Sequence, residues 1–268
     1  MSTHLRHASE RLEAAALEAL HAGASDKSRE RLGLHLDTIG GTTVSIVAND
    51  PSPLFNRAVG LGLNQPATED SIERIRAAYR EHDIERFYLG VHPAARPDGI
   101  EQLLETAGLQ PHRGWMKFER GPDPAPTAES RLEVREIGEE HVDEFGRIAT
   151  NAYGLTSDAA LSVQGLIDRP GFHLYMTFDG DTPAGTGAML IDGAYAWFEL
   201  AATDPEFRQQ GSQRALLARR IEDAVDAGCS RLLTCTGEPI PGDPQHSYHN
   251  IEWAGFEPKF VRKNWVPK

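Results

Sequence analysis

The residues Arg208-Gln209-Gln210-Gly211-Ser212-Gln213-Arg214 stand where the chain could hold an anion. Before them an apolar run stops at Asp204-Pro205, and after them Ala215, Leu216, Leu217 and Ile221 fall at helical spacings. Pro205 has no amide to give to a sheet ladder, so it helps to end a strand. A helix opening near Gly211 has first-turn amides without intrahelical partners, and its dipole favours negative charge there. Gln210, Gly211, Ser212, Gln213 and Arg214 therefore read as a phosphate cradle, to which Arg208 and Arg214 add cationic donors. No Gly-Lys-Ser/Thr follows Gly211, which excludes a nucleotide-hydrolase phosphate loop.

Other reactive side chains make weaker patterns. The two cysteines, Cys229 and Cys235, start no metal-ligand spacing and read as reduced core residues, which suits a cytoplasmic protein. His246 and His249 could share a helix face, but no third ligand accompanies them, and no metal site is expected. His173 reads as a packed or rim residue. Tyr195 and Trp197 put both rings on one strand face, which serves a core or a substrate pocket equally.

The elements around the cradle are legible in order. A helix is expected over about 10–21, a polar segment over 22–30, strands over 42–48 and 55–63, and a helix over 69–80 capped by Thr68. A strand over 86–91, a helix over 99–106 and an aromatic strand over 114–118 follow. Residues 121–130, GPDPAPTAES, are rich in proline and small polar residues and read as a linker between domains 1–120 and 131–268. Beyond it come a strand over 132–137, a helix over 139–152 and a short helix over 157–167. Antiparallel strands over 173–178, 185–191 and 194–203 lead to the cradle and its helix, which ends near 227. A strand over 232–235, a Gly/Pro-rich loop, a helix over 247–253 and a closing aromatic strand pair complete the chain.

The cradle resembles motif A of the GNAT (GCN5-related) N-acetyltransferases, written Arg/Gln-x-x-Gly-x-Gly/Ala, which stands here as Arg208-Gln209-Gln210-Gly211-Ser212-Gln213. Gln213 departs from it, replacing the small residue that allows close approach to the pyrophosphate of acetyl-CoA. The Ala254-Gly255-Phe256 segment strengthens the resemblance, and the order of elements matches the family fold over 131–268. The resemblance implies acetyl-CoA as cosubstrate and an acetyl group passed to an amine by direct attack in a ternary complex. It places the backbone of Ala201, Ala202 and Thr203 along pantetheine, and it suggests Asn250 as a hydrogen-bonding partner of the cofactor or the preceding loop.

For the base, Glu199 is the leading side chain, since a family base often occupies such a position. Burial among aromatics would raise its pKa toward a useful range. It could equally bind a substrate cation as a fixed charge or face solvent. The family tyrosine that protonates the coenzyme thiolate falls at Ile251 here, which cannot donate. Tyr248, one turn earlier, is the candidate acid; packing near the cofactor is its other role.

The two halves carry a faint repeat. Thr106-Ala107-Gly108-Leu109-Gln110-Pro111 answers to Trp253-Ala254-Gly255-Phe256-Glu257-Pro258, and Glu85-Arg86-Phe87-Tyr88 to Ser230-Arg231-Leu232-Leu233. On that register Gly211 falls on Pro66 and Arg214 on Glu69, so the first half lacks a cradle. The expected class is α/β (α+β): two GNAT-like domains, each a mixed, mainly antiparallel sheet flanked by helices, the first degenerate.

The chain has 268 residues, 40% of them hydrophobic and 25% charged, with a formal charge of −13. That balance argues against a nucleic-acid surface and favours a cationic acceptor, a small-molecule or peptide amine. No basic leader opens the chain and no apolar run approaches about 20 residues, so neither export nor a membrane partner is expected. A tandem chain can pack domain on domain internally, and a monomer is favoured. The competing reading is a non-catalytic acyl-CoA-binding or sensor module, for which Ile251 and Gln213 argue.

Overall fold

The computed structural model describes residues 7–268 and divides into two compact units. One runs to Trp115 and takes Phe260–Lys268 from the other end of the chain; the second is Met116–Lys259. The linker expected at 121–130 lies within the second unit, and residues 1–6 of the expected first domain lie outside the described residues.

The first unit opens with helices α1 (Ala8–Gly23) and α2 (Asp26–Leu32), the latter in a stretch expected to be irregular. Ser25 caps α2 by accepting the Ser28 amide at 3.1 Å, a local pattern that polar composition hides. Strands β1 (Leu34–Ile39), β2 (Thr42–Val47) and β3 (Arg57–Val59) pair antiparallel in turn. β1 was not anticipated because only its two ends are buried, which erases the alternation that marks a strand. The expected strand over 55–63 shrinks to β3, since glycines 60 and 62 turn the chain at positive φ.

Helix α3 (Glu69–Arg80) then crosses to β4 (Tyr88–Val91), which runs parallel to β3. Ile72, Ile75 and Tyr79 are its buried apolar stripe. Helix α4 (Ile100–Thr106) leads to β5 (Leu109–Arg120), within which the division between units falls.

The second unit repeats this plan. Strands β6 (Glu133–Glu136), β7 (Phe172–Asp179), β8 (Thr182–Asp192) and β9 (Tyr195–Thr203) pair antiparallel in sequence order. Helices α5 (Val142–Tyr153) and α6 (Ala160–Gln164) lie between β6 and β7. Helix α7 (Ser212–Asp226) joins β9 to the parallel strand β10 (Arg231–Gly237), and α8 (His246–Trp253) precedes β11 (Glu257–Pro267). The closing pair of strands expected from the sequence is this single strand. Strand order is β1-β2-β3-β4-β11-β5 in the first unit and β5-β10-β9-β8-β7-β6 in the second. Both units are therefore antiparallel strands followed by a parallel pair with a crossover helix, which is the duplicated α/β architecture read from the sequence. The structural register sets the start of α3 against that of α7, so Thr68, and not Pro66, is the counterpart of Gly211.

In the second unit alternation along β7, β8 and β9 sends side chains to two covered faces. Tyr175, Met189, Ala196 and Phe198 join Leu216, Leu217 and Ile221 of α7 and Ile251 of α8 in one core. The alternate residues, Trp197 among them, point the other way, where α5 packs on β8 and β9.

The first unit holds its last strand by charge. Arg262 on β11, 1% exposed, donates to Glu13 at 2.6 and 3.1 Å and to Glu10 at 3.2 Å, both carboxylates being fully buried on α1. Arg57 of β3 lies 3.1 Å from Glu13, and Trp115 has both guanidinium groups over its ring, at 5.2 Å and 4.9 Å. Gly90 on β4 makes room, since a Cβ there would stand 2.8 Å from the Arg262 Nε. Removing one member of such a network leaves buried charge uncompensated. Arg262→Ala should lower stability by about 3–5 kcal/mol in urea unfolding; a loss below about 1 kcal/mol would show that the network does not retain β11.

Candidate active site

β9 and β10 part company. Their parallel pairing runs from Tyr195–Arg231 to Phe198–Thr234 and ends there, leaving residues 199–203 with no β10 partner. On the other edge β9 still pairs with β8, but Leu200 and Ala201 together oppose the single residue Gly187. This bulge puts Leu200 at φ 52°, a left-handed conformation that a branched side chain enters at a cost.

Arg220 of α7 holds the bulge open. Its side chain is 1% exposed and donates to the Ala188 carbonyl at 2.9 Å, the Glu199 carbonyl at 3.4 Å and its own helix at Leu216. Ala188 and Glu199 are register partners, so the guanidinium satisfies acceptors beside the bulge where the ladder is disturbed. A Cβ on Gly187 would stand 2.8 Å from the guanidinium carbon, so glycine is the residue that fits. Burial pulls Arg220 down to about 10, still protonated at neutral pH.

Beyond the bulge the chain passes a short 3-10 turn, Pro205–Phe207, to Gly211, which caps α7 at φ 83°. No side chain caps this helix. The loop is braced from behind: Ser130 donates to the Gln210 carbonyl at 2.9 Å, Arg131 donates to the Gln210 side chain at 2.8 Å, and a Cβ on Gly211 would meet the Glu129 carbonyl at 2.5 Å. Residues 129–131 and 209–211 line an open depression of about 490 Å3.

The expected cradle residues are thus together at one place. Gln213, the departure from the motif, turns its amide inward and donates to the Ala202 carbonyl at 2.7 Å and the Thr203 hydroxyl at 3.0 Å. Its length straps the end of β9 to the first turn of α7. Ser212 is buried against the Thr177 hydroxyl at 2.8 Å, whereas Arg208 and Gln209 are exposed. Arg214 is exposed as well; it donates to the Asn250 side chain at 3.2 Å and stacks over Trp253 at 4.9 Å, which ties α7 to α8.

Glu199 shares the α5 face with Trp197, whose indole nitrogen donates to the carboxylate at 3.0 Å. Buried Lys117 places its ammonium 4.9 Å over the same Trp197 ring. Tyr153, the last residue of α5, donates its hydroxyl to the Ala201 carbonyl at 2.9 Å. Tyr153 is 39% exposed, yet its hydroxyl is engaged on the strand, and desolvation, with Cys235 and Glu199 adding, pushes its pKa up to about 12. Tyr248 lies elsewhere: its ring meets Phe118 edge-on at 4.9 Å and packs on the α7–α8 core beside buried Ile251. Cys229 and Cys235 are not joined in a disulfide.

Sequence reasoning gave no role to Arg220 or Lys117, and it put Tyr153 only at the start of a segment, 153–164, expected to line the acceptor pocket. Arg220 carries a signal, because it stands four residues after Leu216 and beside Ile221 on the buried stripe of α7, where a charge is out of place.

The first unit has the same crossover but different chemistry at its helix start. Thr68 accepts the Ser71 amide at 3.1 Å, while the Ser71 hydroxyl accepts the Thr68 amide at 2.9 Å, closing a capping box. The Ala67 amide is taken by the Arg96 carbonyl at 2.7 Å, and the Arg96 amide by the Gly62 carbonyl at 3.0 Å. Glu69 and Asp70 occupy the first turn.

Residues 135–243 match the model of the acetyltransferase (GNAT) family. Among solved structures, the chain is similar to a GCN5-related N-acetyltransferase from Kribbella flavida, with 16% identity, a TM-score of 0.64, and 97% of this chain and 95% of that one covered. A GCN5-related N-acetyltransferase from Sphaerobacter thermophilus gives 17% identity and a TM-score of 0.58, with 96% and 90% covered. A tandem GNAT protein from the clavulanic acid biosynthesis pathway gives 17% identity and a TM-score of 0.59, with 96% and 93% covered. No curated protein sequence matches. No helix among the described residues is long and apolar enough to cross a membrane.

If Arg220 holds the bulge, Arg220→Lys should fail to span both carbonyls. A melting temperature lowered by about 4–8 °C is expected, for about 2 kcal/mol lost; an unchanged value would contradict the role. The architecture of this chain is that of the GNAT-family acetyltransferases, in a tandem arrangement.

Proposed function

We propose that the second unit is an acetyl-CoA-dependent N-acetyltransferase and that the first has lost the cofactor loop. The observation that carries this reading is the contrast between the two crossover helices: α7 starts uncapped beside an unpaired stretch of β9, whereas α3 starts with its amides spent on its own chain.

The amides of Gln210–Arg214 would hold the pyrophosphate, with Arg208, Gln209 and Arg214 supplying donors from the loop and helix. The stretch from Glu199 to Thr203 has left β10 and would run along an extended ligand, and one amide there would polarise the thioester carbonyl. Gln213 and Asn250 then act as braces of the site, one on β9 and the other on Arg214.

Glu199 is the proposed base. It shares the α5 face with Trp197 and is the first residue of β9 beyond the end of the β10 pairing, which puts a carboxylate beside the stretch proposed to hold the thioester. The amine attacks directly, the thiolate leaves, and no covalent acyl-enzyme is needed. An acceptor carrying positive charge, whether a small molecule or a peptide amine, suits a chain of formal charge −13. A cytoplasmic monomer fits this reading, since the tandem chain carries two units.

Calorimetric titration with acetyl-CoA and with CoA tests it. One site per chain is expected, weakened about ten- to a hundredfold by Arg214→Glu, the loss of a charge-assisted contact. Tight binding without turnover on a panel of primary amines would favour a sensor, the reading that Ile251 supports. No binding at all would remove both.

A further inference from the structure

Helix α5 ends on a hydroxyl that the mechanism above does not use. Tyr153 donates to the Ala201 carbonyl, within the part of β9 that has left β10. Tyr153 is 39% exposed, and its hydroxyl points at the strand. Burial holds that hydroxyl well above its ordinary pKa, with the charges of Cys235 and Glu199 adding to the shift and Arg220 opposing it.

Aminolysis of a thioester must deliver a proton to the departing sulfur, and α8 is poorly built for this. Ile251 has no proton to give, and Tyr248, partly buried, turns its ring onto Phe118 against the α7–α8 core. Glu199 points to the opposite face, beside Trp197.

We propose that Tyr153, from α5, donates the hydrogen bond and the proton that the departing coenzyme thiol needs; this rests on the acetyl-CoA reading above. As the carbon–sulfur bond of the tetrahedral adduct breaks, its electron pair goes to sulfur, and the Tyr153 hydroxyl turns from the Ala201 carbonyl to deliver its one proton there. Glu199, having taken a proton from the attacking nitrogen, returns one to the Tyr153 oxygen. The products are amide and free thiol; nothing is oxidised, and both side chains end as they began. The return step matters because a buried tyrosine is a weaker acid than a thiol of pKa about 8.5. Transfer to sulfur is uphill unless the oxygen is reprotonated in the same event, and Glu199 is one of the groups acting on that oxygen.

The test needs no acceptor. CoA is bound to the wild-type protein, to Tyr153→Phe and to Tyr248→Phe, with binding verified by calorimetry. The thiol is then titrated by the ultraviolet absorbance of its thiolate against a blank of the same complex made with CoA lacking its sulfur. A hydrogen bond from Tyr153 to the thiolate predicts a thiol pKa about one unit or more higher in Tyr153→Phe than in wild type, and no change in Tyr248→Phe. Bound CoA whose thiol ignores Tyr153, or one that responds to Tyr248, overturns the assignment while leaving the acetyl-CoA reading intact. Absence of CoA binding by the wild-type protein overturns both.

Discussion

The second unit depends on the separation of two parallel strands. β9 and β10 pair as far as Phe198 and Thr234, and a bulge at Leu200–Ala201 then turns β9 away. A bulge disturbs the ladder and leaves backbone acceptors to be met by other donors, at a cost of about 1–3 kcal/mol for each buried one left unmet. Arg220 meets two of them from α7, Gln213 takes the Ala202 carbonyl and Tyr153 the Ala201 carbonyl. The opening is therefore a built feature: α5 and α7 both supply side chains that hold it in shape. The helix that supplies two of the three starts at Gly211, shortly after the same strand, with no side-chain cap from that residue, and its dipole favours negative charge there.

Two copies of one topology have put their polar groups to different ends. In the first unit the capping box of Thr68 and Ser71 and the Ala67–Arg96 hydrogen bond consume donors that an anion would need, and Glu69 and Asp70 repel it. Its buried charges are arranged for cohesion, with Arg262 and Arg57 on Glu13. The second unit instead keeps its helix start exposed and commits its buried guanidinium to the strand bulge.

Much of this was legible in the sequence for identifiable reasons. α3, α7 and the strands β7 to β9 carry periodicity, turn residues and caps that agree with one another, so local and tertiary preferences coincide. The cradle was legible because Pro205, Gly211 and the apolar spacing after it fix a strand–turn–helix. What escaped were features decided by distant partners. β1 has no alternation to read, and the last strand joins the first unit through a residue whose partners lie near the other terminus. Gln213 looked like an obstruction to the cofactor, because sequence gives the length of a side chain but not its direction; here it turns onto the strand. The contact of the Tyr153 hydroxyl with β9 was invisible, since only the packing of α5 on β9 brings it to Ala201.

The central claim is that one acyl-CoA site exists per chain, at the start of α7 and the free end of β9. Amide hydrogen exchange with and without acetyl-CoA tests it most directly, because the contacts at issue are backbone groups that side-chain substitution largely misses. The account predicts slowed exchange at 199–203 and 210–214 on ligand addition, with 66–71 unchanged. Protection at 66–71, or none at 210–214 despite saturating ligand, would contradict it.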